Sequence, residues 1–368
     1  MTVTGEHAYA AERMGAVRAV SQSSEDAGGR AQPFSRSEPS FWPGRPTLVT
    51  GGTGFLGRWL SRALVERGAT VFCLARDEGA KSGPVIAGSF RGKDDSVRFV
   101  RGDVRDPECI ERVLSQHGID TVFHLAAQAI VGVANREPLE TLETNVAGTW
   151  RLLEACRRAK TVKHIVFASS DRAYGDQPHL PYHEKLALDG VNPYEVSKSC
   201  SDLVARSYAS TYGLPIVITR CANLFGGGDL NFNRIIPGTV RNILQGARPV
   251  IRSDGRFIRD YLYIEDAVSA YLMLAEQLAS RQELVGEAFN FSNEMRISVL
   301  DLVRQVVRKM GSGLEPIILN ETAHEVREAY LSSEKAREFF GWHPSFSQDE
   351  ALGRTIDWYR SFLPTGEA

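Results

Sequence analysis

The sequence predicts a doubly wound α/β fold, a parallel sheet covered by helices on both faces, followed by a smaller α/β lobe. Three observations carry that expectation. Short apolar runs alternate with amphipathic stretches from Pro46 to about Arg220. A glycine-rich loop separates the first such run from the first such stretch. Beyond Arg220 the rhythm breaks: Gly, Asn and Pro become common in NLFGGGDLNFNRIIPG, and the strand-like and helix-like pieces shorten. The chain therefore divides into 1–45, 46–220 and 221–368, the last partly interleaved with the second.

Residues 1–45 contain SQSSEDAGGRAQPFSRSEPS, rich in Ser, Gly, Pro and charge and poor in core-forming side chains, so a disordered extension is expected. A transit peptide is the alternative; early acidic residues and the lack of an apolar stretch in MTVTGEHAYAAERMGAV weigh against it. TLVTG then reads as a strand, FLGRWLSRALVERG as an amphipathic helix closed by Gly68, and TVFCLA as a second strand. SVRFVRGDV, PECIERVLSQHG and TVFHLAA continue as strand, helix and strand. A long helix is expected over roughly 138–159, then the strand HIVFASS, a helix from Pro193 to about Tyr212, and the strand PIVITR. Helices of this length between strands imply right-handed crossovers and parallel pairing.

With 43% hydrophobic and 24% charged residues and a net charge of -2, the chain has no global attraction for nucleic acid or an anionic membrane. No apolar run approaches the roughly 20 residues needed to span a bilayer. The cysteines Cys73, Cys109, Cys156, Cys200 and Cys221 are odd in number and lack CxxC spacing, and the histidines lack HExxH spacing. No disulfide framework or metal site is expected, and a reducing cytoplasm is.

In TGGTGFLG, the glycines Gly51, Gly54 and Gly57 follow a strand and open a helix. They allow a tight turn and close approach of backbone to a pyrophosphate, whose charge a helix N-terminus favours. A tight turn without a ligand is the plain alternative. Tyr194 and Lys198, four apart on a predicted helix, leave it on one face. An ammonium near a phenol favours the phenolate and moves the tyrosine toward use as a base. Ser170, at the end of the fifth strand, can bond the same substrate hydroxyl.

The GxxGxxG spacing together with YEVSK resembles the extended short-chain dehydrogenase/reductase family, over essentially everything from about 46 to 362. The resemblance implies a Rossmann-type sheet that binds NAD or NADP, and a second part that binds a nucleotide-diphosphate sugar. It places Gly51, Thr53, Gly54, Phe55, Leu56 and Gly57 in the cofactor loop and Asp103 and Val104 beside the adenine. Leu125, Ala126 and Ala127 of HLAAQ lie beside the cofactor, with Tyr194 and Lys198, and Gln128 turns to the substrate; Asn145 matches the family's helix asparagine. In LARD, Arg76 beside a small residue suits a 2′-phosphate, as in the mannose dehydratases this stretch resembles, which gives a slight lean to NADP. Asp77 keeps NAD open, and Arg76 could be simply solvated.

In the family pattern the active serine or threonine lies five residues before the glycine of a YG pair, which selects Ser170 and turns Asp171 and Arg172 to the sugar. Simple 4-epimerases carry small residues there, and the sugar 4,6-dehydratases an acid. SSDRAYG is closest to the CDP-glucose dehydratases. Oxidation at C4 acidifies the C5 proton, expulsion of the C6 hydroxyl as water needs a proton donor, and hydride then returns to C6. Asp171 is the expected donor; Arg172 stays protonated and cannot be the C5 base, but could stabilise an enolate or grip a hydroxyl. Glu195 and His183 are near in sequence only. The alternative is an Asp171–Arg172 surface turn beside an epimerase site.

Asn223 matches the asparagine that contacts the sugar diphosphate, Arg259 the arginine on the phosphates, and Arg327 is a second phosphate candidate. Asn233 and Arg234 are expected along the nucleotide pocket. Family members pair the 138–159 and Tyr194 helices into a homodimer. The expectation is thus a nucleotide-sugar 4,6-dehydratase using Ser170, Asp171, Tyr194 and Lys198. Its rivals are a 4-epimerase with the same Ser-Tyr-Lys, and a non-catalytic NADP-binding regulator, which would need neither Tyr194 nor Lys198.

Overall fold

The computed structural model describes residues 41–76, 97–321 and 326–363. Residues 1–40 of the expected extension, and Asp77, lie outside the described residues.

β1 (Pro46–Thr50), α1 (Phe55–Glu66), β2 (Thr70–Ala75), β3 (Val97–Arg101), α2 (Pro107–Gln116) and β4 (Thr121–His124) follow the expected alternation. A short α3 (Val131–Arg136) precedes the long helical stretch, which consists of α4 (Pro138–Leu142) and α5 (Gly148–Ala159) joined by a π-helical turn over Glu143–Ala147. β5 (His164–Ala168), a 3-10 turn over Asp171–Tyr174, α6 (Pro193–Tyr212) and β6 (Ile216–Cys221) follow. Then come β7 (Asn223–Phe225), α7 (Ile235–Leu244), β8 (Val250–Ile251), β9 (Ile258–Arg259), β10 (Tyr261–Tyr263), α8 (Ile264–Leu278) and β11 (Ala288–Phe291). The chain ends through β12 (Ile297–Ser298), α9 (Val299–Lys309), β13 (Ile317–Ile318), β14 (Glu328–Ala329), α10 (Glu334–Phe340) and α11 (Gln348–Phe362).

Seven strands form one sheet in the order β11-β6-β5-β4-β1-β2-β3, and each neighbouring pair is parallel. Because strand side chains alternate between faces, Leu48, Phe72 and Leu74 join a core with α2, α5 and α6. Val49, Val71 and Cys73 join another with α1 and α8. This is a Rossmann-type fold. The strand order reverses between β1 and β4, and in open sheets of this kind the carboxyl ends at such a point are where ligands bind. β11 and α8, although late in the chain, return to this sheet. A third core, including Phe225, Ile236, Val240, Leu302, Val306 and Ile356, belongs to the later lobe.

One boundary needs correction. The chain packs from Trp42, before the expected limit at 45: its indole is 1% exposed and donates to Glu276 of α8. Trp42, with the half-buried Phe41 packed beside it, supplies the apolar surface that the preceding polar composition lacks.

Candidate active site

The glycine loop fits against the exit of β4. Gly51 has φ +71°, and a Cβ there would sit 2.8 Å from the Ala126 amide nitrogen. At Gly57 a Cβ would meet the Gly51 carbonyl oxygen at 2.2 Å, so α1 can start this close to the loop only without a side chain. Gly54 caps α1 without a side-chain hydrogen bond, and no acidic residue stands in the first turn. The first amides of α1 therefore lack a side-chain acceptor, which suits an incoming diphosphate. Thr53 holds Arg58 through its carbonyl at 2.7 Å, and Phe55 and Leu56 pack toward the core of the later lobe. Arg76 stands exposed at the end of β2. Asp103 is gripped by Arg105, with 2.8 Å to Nη2. Burial pushes its carboxyl up, but the Arg105 hydrogen bonds and the charges of Arg105 and Arg76 leave it lowered. Val104 beside it is buried.

Beyond β4, Leu125, Ala126, Ala127 and Gln128 are half-buried. The Leu125 and Ala126 amides each donate to Thr50 Oγ1 at 3.2 Å. Asn145, in the π-helical turn, accepts from the Gln128 amide at 2.7 Å and donates to its carbonyl at 3.0 Å and to Ser197 of α6 at 2.8 Å. One asparagine therefore fixes this segment to α6.

At the end of β5, Ser170 accepts from the Arg172 amide at 3.2 Å and donates to Asp171 Oδ1 at 2.9 Å. Asp171 is 3% exposed, so it is no surface turn. Its second oxygen, Oδ2, is buried without a hydrogen-bond partner. Burial raises its pKa against the opposing pull of Arg172, Ser170 and Arg259.

Tyr194 and Lys198 are set by the start of α6. Asn192 caps Glu195 at 3.1 Å, Glu195 reaches back to the Asn192 amide, and Pro193 opens the helix. The Glu195 carboxylate is thus engaged in the cap, and His183 is exposed. Tyr194 is buried, and its phenol is raised, not lowered as the sequence suggested. Burial dominates and Asp171 adds to it, while the Ser170 hydrogen bond, Arg234 and Arg172 oppose. Lys198 donates to the Ala168 carbonyl at 2.9 Å, and burial lowers it to about 8 against the pull of Asp202.

On the lobe side, Arg259 is buried and donates to the carbonyls of Ile258 at 2.8 Å and Arg327 at 3.2 Å. Arg234 pairs with Asp229 at 3.0 Å. Asn223 donates to the Asp260 carbonyl at 3.0 Å. Ser170, Asp171, Arg172, Tyr194, Arg234 and Arg259 share one electrostatic neighbourhood. Asn233, bonded to Arg252 at 2.8 Å, and the Arg327 side chain are exposed outside it.

Sequence reasoning missed Asp260. Its carboxylate accepts from Ser292, from the Leu331 amide at 3.1 Å and from the Met295 amide at 3.0 Å. Burial pushes it up to about 7, and Asp171 contributes. The alternation in IRDYLY was the available signal, since it points Asp260 away from the face of Arg259 and Tyr261.

Residues 47–291 match the family described as NAD dependent epimerase/dehydratase. A CDP-glucose 4,6-dehydratase of Salmonella typhimurium is 30% identical, over 89% of this chain and 93% of that protein. Among solved structures, a UDP-glucose 4-epimerase of Thermotoga maritima with UDP-glucose superposes with TM-score 0.77 at 29% identity, covering 87% of this chain and 100% of that one. A dTDP-glucose 4,6-dehydratase of Streptomyces venezuelae with NAD and TYD bound gives TM-score 0.75 at 29% identity, over 86% and 97%.

Proposed function

Since the chain belongs to the NAD dependent epimerase/dehydratase family, we propose that it is a nucleotide-sugar 4,6-dehydratase, turning an NDP-hexose into the NDP-4-keto-6-deoxyhexose. The observation that carries this reading is Asp171: a buried carboxyl, its pKa raised by burial, with one oxygen unpartnered beside Ser170 and Tyr194. Turning over a 4-keto intermediate needs no such acid; expelling the C6 hydroxyl does.

A nicotinamide dinucleotide at the glycine loop supplies the hydride acceptor and donor. Around it, Tyr194, beside Ser170, takes the proton of the C4 hydroxyl, and Ser170 orients that hydroxyl. The Lys198 ammonium, once drawn from Ala168, favours the phenolate. Asp171 gives its proton to the departing C6 hydroxyl, a task that its raised pKa suits. Arg172 and Arg259 are fixed positive charges for the diphosphate and for negative charge that develops on the sugar oxygens. Gln128, Asn223 and Arg234 complete the substrate contacts in this reading, while Asn233 and Arg327, exposed outside the cluster, are left for the nucleotide end of the substrate. The family description and the NAD of the Streptomyces enzyme favour NAD; the lean to NADP rests on Arg76 alone.

No helix among the described residues is long and apolar enough to cross a membrane. Five free cysteines favour a cytoplasmic setting. Exposed Leu139, Leu142, Trp150, Leu203 and Tyr212 on α4, α5 and α6 favour a homodimer through those helices.

The test is mass spectrometry of the purified protein with CDP-, GDP-, UDP- and dTDP-hexoses and no added reductant. Loss of one water from one member is expected and names its nucleotide. A 4-epimer of unchanged mass would replace the dehydratase reading with the epimerase one.

A further inference from the structure

We infer that Arg220 and Tyr174 are positioning residues, forming a buried relay that fixes the turn carrying Asp171 against the helix carrying Tyr194 and Lys198. The inference rests on the dehydratase reading. In that reading, groups on two separate elements must address C4 and C6 of one bound sugar. α6 carries Tyr194 and Lys198, whereas Asp171 opens a 3-10 turn of four residues that ends at Gly175 with φ +67°. So short a turn does not hold its own place.

The fold holds it from behind. Arg220 of β6 is 1% exposed and grips both carboxylate oxygens of Asp202, Nε to Oδ2 and Nη2 to Oδ1, each at 2.9 Å. Asp202 is itself fully buried and lies one helical turn beyond Lys198 on α6. The remaining fork nitrogen, Nη1, donates to Tyr174 Oη at 2.9 Å, and the guanidinium lies 4.9 Å from the centre of that ring. Tyr174 Oη donates to Asn290 of β11 at 2.7 Å, and Asn290 donates to the Tyr182 carbonyl at 3.0 Å. Tyr182 Oη returns to the Gly175 carbonyl at 2.8 Å, which closes the path on the turn. A second tie runs directly from α6, where Ser199 Oγ donates to the Ala173 carbonyl at 2.8 Å.

A buried ion pair adds little stability over apolar packing of the same volume, but a bidentate fork admits only one geometry. Here that geometry links the oxidising helix to the acid-bearing turn. Displacement of a reacting group by roughly 1 Å costs on the order of 100-fold. Loosening the relay should therefore slow water loss more than oxidation, and leave more of the 4-keto intermediate to take hydride back at C4 from the reduced cofactor, giving the 4-epimer where the ring has turned over first.

The test is Tyr174→Phe in the full-length holoenzyme, with the NDP-hexose that the wild type dehydrates. The variant keeps the ring and removes only the hydroxyl where Arg220 and Asn290 meet. Expected are an unchanged KM, a lower kcat, and a ratio of 4-epimer to dehydrated product raised roughly tenfold or more. Arg220→Lys, which keeps the charge and loses the fork, should shift the ratio the same way; Ser199→Ala serves if either fails to fold. A product ratio that stays at the wild-type value, while rate and melting temperature fall together, overturns the relay. A wild type that gives only the 4-epimer instead overturns the dehydratase reading, and the relay's purpose with it.

Discussion

Two neighbouring strands, β4 and β5, begin and end in polar clusters that treat charge in opposite ways. At their start, Asp120 accepts from Arg45 and from Thr121 at 2.7 Å, with His164 at 3.5 Å. Burial alone would raise that carboxyl, yet His164, Thr121 and Arg45 hold it well below the usual carboxylate range. At their end, burial prevails. Asp171 is raised, Tyr194 is raised, Lys198 is lowered to about 8 and His124 to about 3. The foot of the sheet gives its carboxylate partners, and the rim withholds one from Asp171. Groups left in unfavourable states at a sheet's carboxyl edge are what a ligand can use. If that contrast is right, substitutions at the rim cost activity and those at the foot cost stability.

The largest effect is expected from Asp171→Asn. Water elimination should fall about 10²–10⁴-fold, the range for a general acid, while C4 oxidation, read as reduction of the bound cofactor in a single turnover, largely survives. The melting temperature should not drop, because the lost carboxyl had an unmatched oxygen. A large fall in melting temperature would erase the distinction between rim and foot. Asp120→Ala is the counterpart. It removes charge-assisted bonds to Arg45 and Thr121 and should cost about 2–3 kcal/mol in urea denaturation, with kcat/KM of the folded enzyme unchanged.

Parts of this contrast were legible in the sequence because they depend on local rules. Strand and helix periods follow from side-chain spacing, and the glycines of TGGTGFLG from the room a backbone turn leaves. Tyr194 and Lys198 share a face by spacing alone. The direction of the Tyr194 shift was not legible, since it turns on burial, and spacing says nothing of burial. Nor was the pair of Arg220 and Asp202, whose charges 18 residues apart look like two solvated side chains. Trp42 escaped because a polar composition averages over one adjacent pair of aromatics, Phe41 and Trp42. Asp260 escaped because its partners, Ser292, Met295 and Leu331, come from later segments.

A smaller effect sharpens the rim side. Lys198 goes from its ordinary 10.5 to about 8 in the fold. Below pH 8 the folded protein therefore carries an ammonium that burial opposes. That cost is complete at neutral pH and fades as pH rises through 8 toward 10.5. Lys198→Met should abolish turnover yet stabilise the protein by about 2 kcal/mol at pH 7, once the lost bond to Ala168 is set against the relieved burial of charge. The gain should shrink at pH 9.5. Thermal melts of both proteins at the two pH values decide it; a variant less stable at pH 7 would mean that the lysine is a structural group.

His124 is where the contrast is finest, because it ends the strand that Asp120 precedes. Thr149 Oγ1 donates to the Asn145 carbonyl at 2.5 Å, so it must accept from His124 Nε2 at 3.0 Å. That leaves Nδ1 to accept from Thr50 Oγ1 at 2.8 Å, an oxygen already taking the Leu125 and Ala126 amides. A proton on Nδ1 would turn three donors on one oxygen. Burial, then the Lys198 charge, lowers the imidazole from 6.5 to about 3. The unfolded chain thus binds a proton below pH 6.5 that the fold refuses until about 3, and stability declines as pH falls through that window. Between pH 6.5 and 5.5 the loss from this one group should be about 1 kcal/mol. Asp260 and Asp266, both raised, work the other way as the pH falls, so the wild-type curve alone does not isolate it. The difference between wild type and His124→Gln does: the variant's stability should fall less over that interval. Parallel curves would mean that His124 takes its proton in the folded state, and that the rim is not as dry as its hydrogen bonds imply.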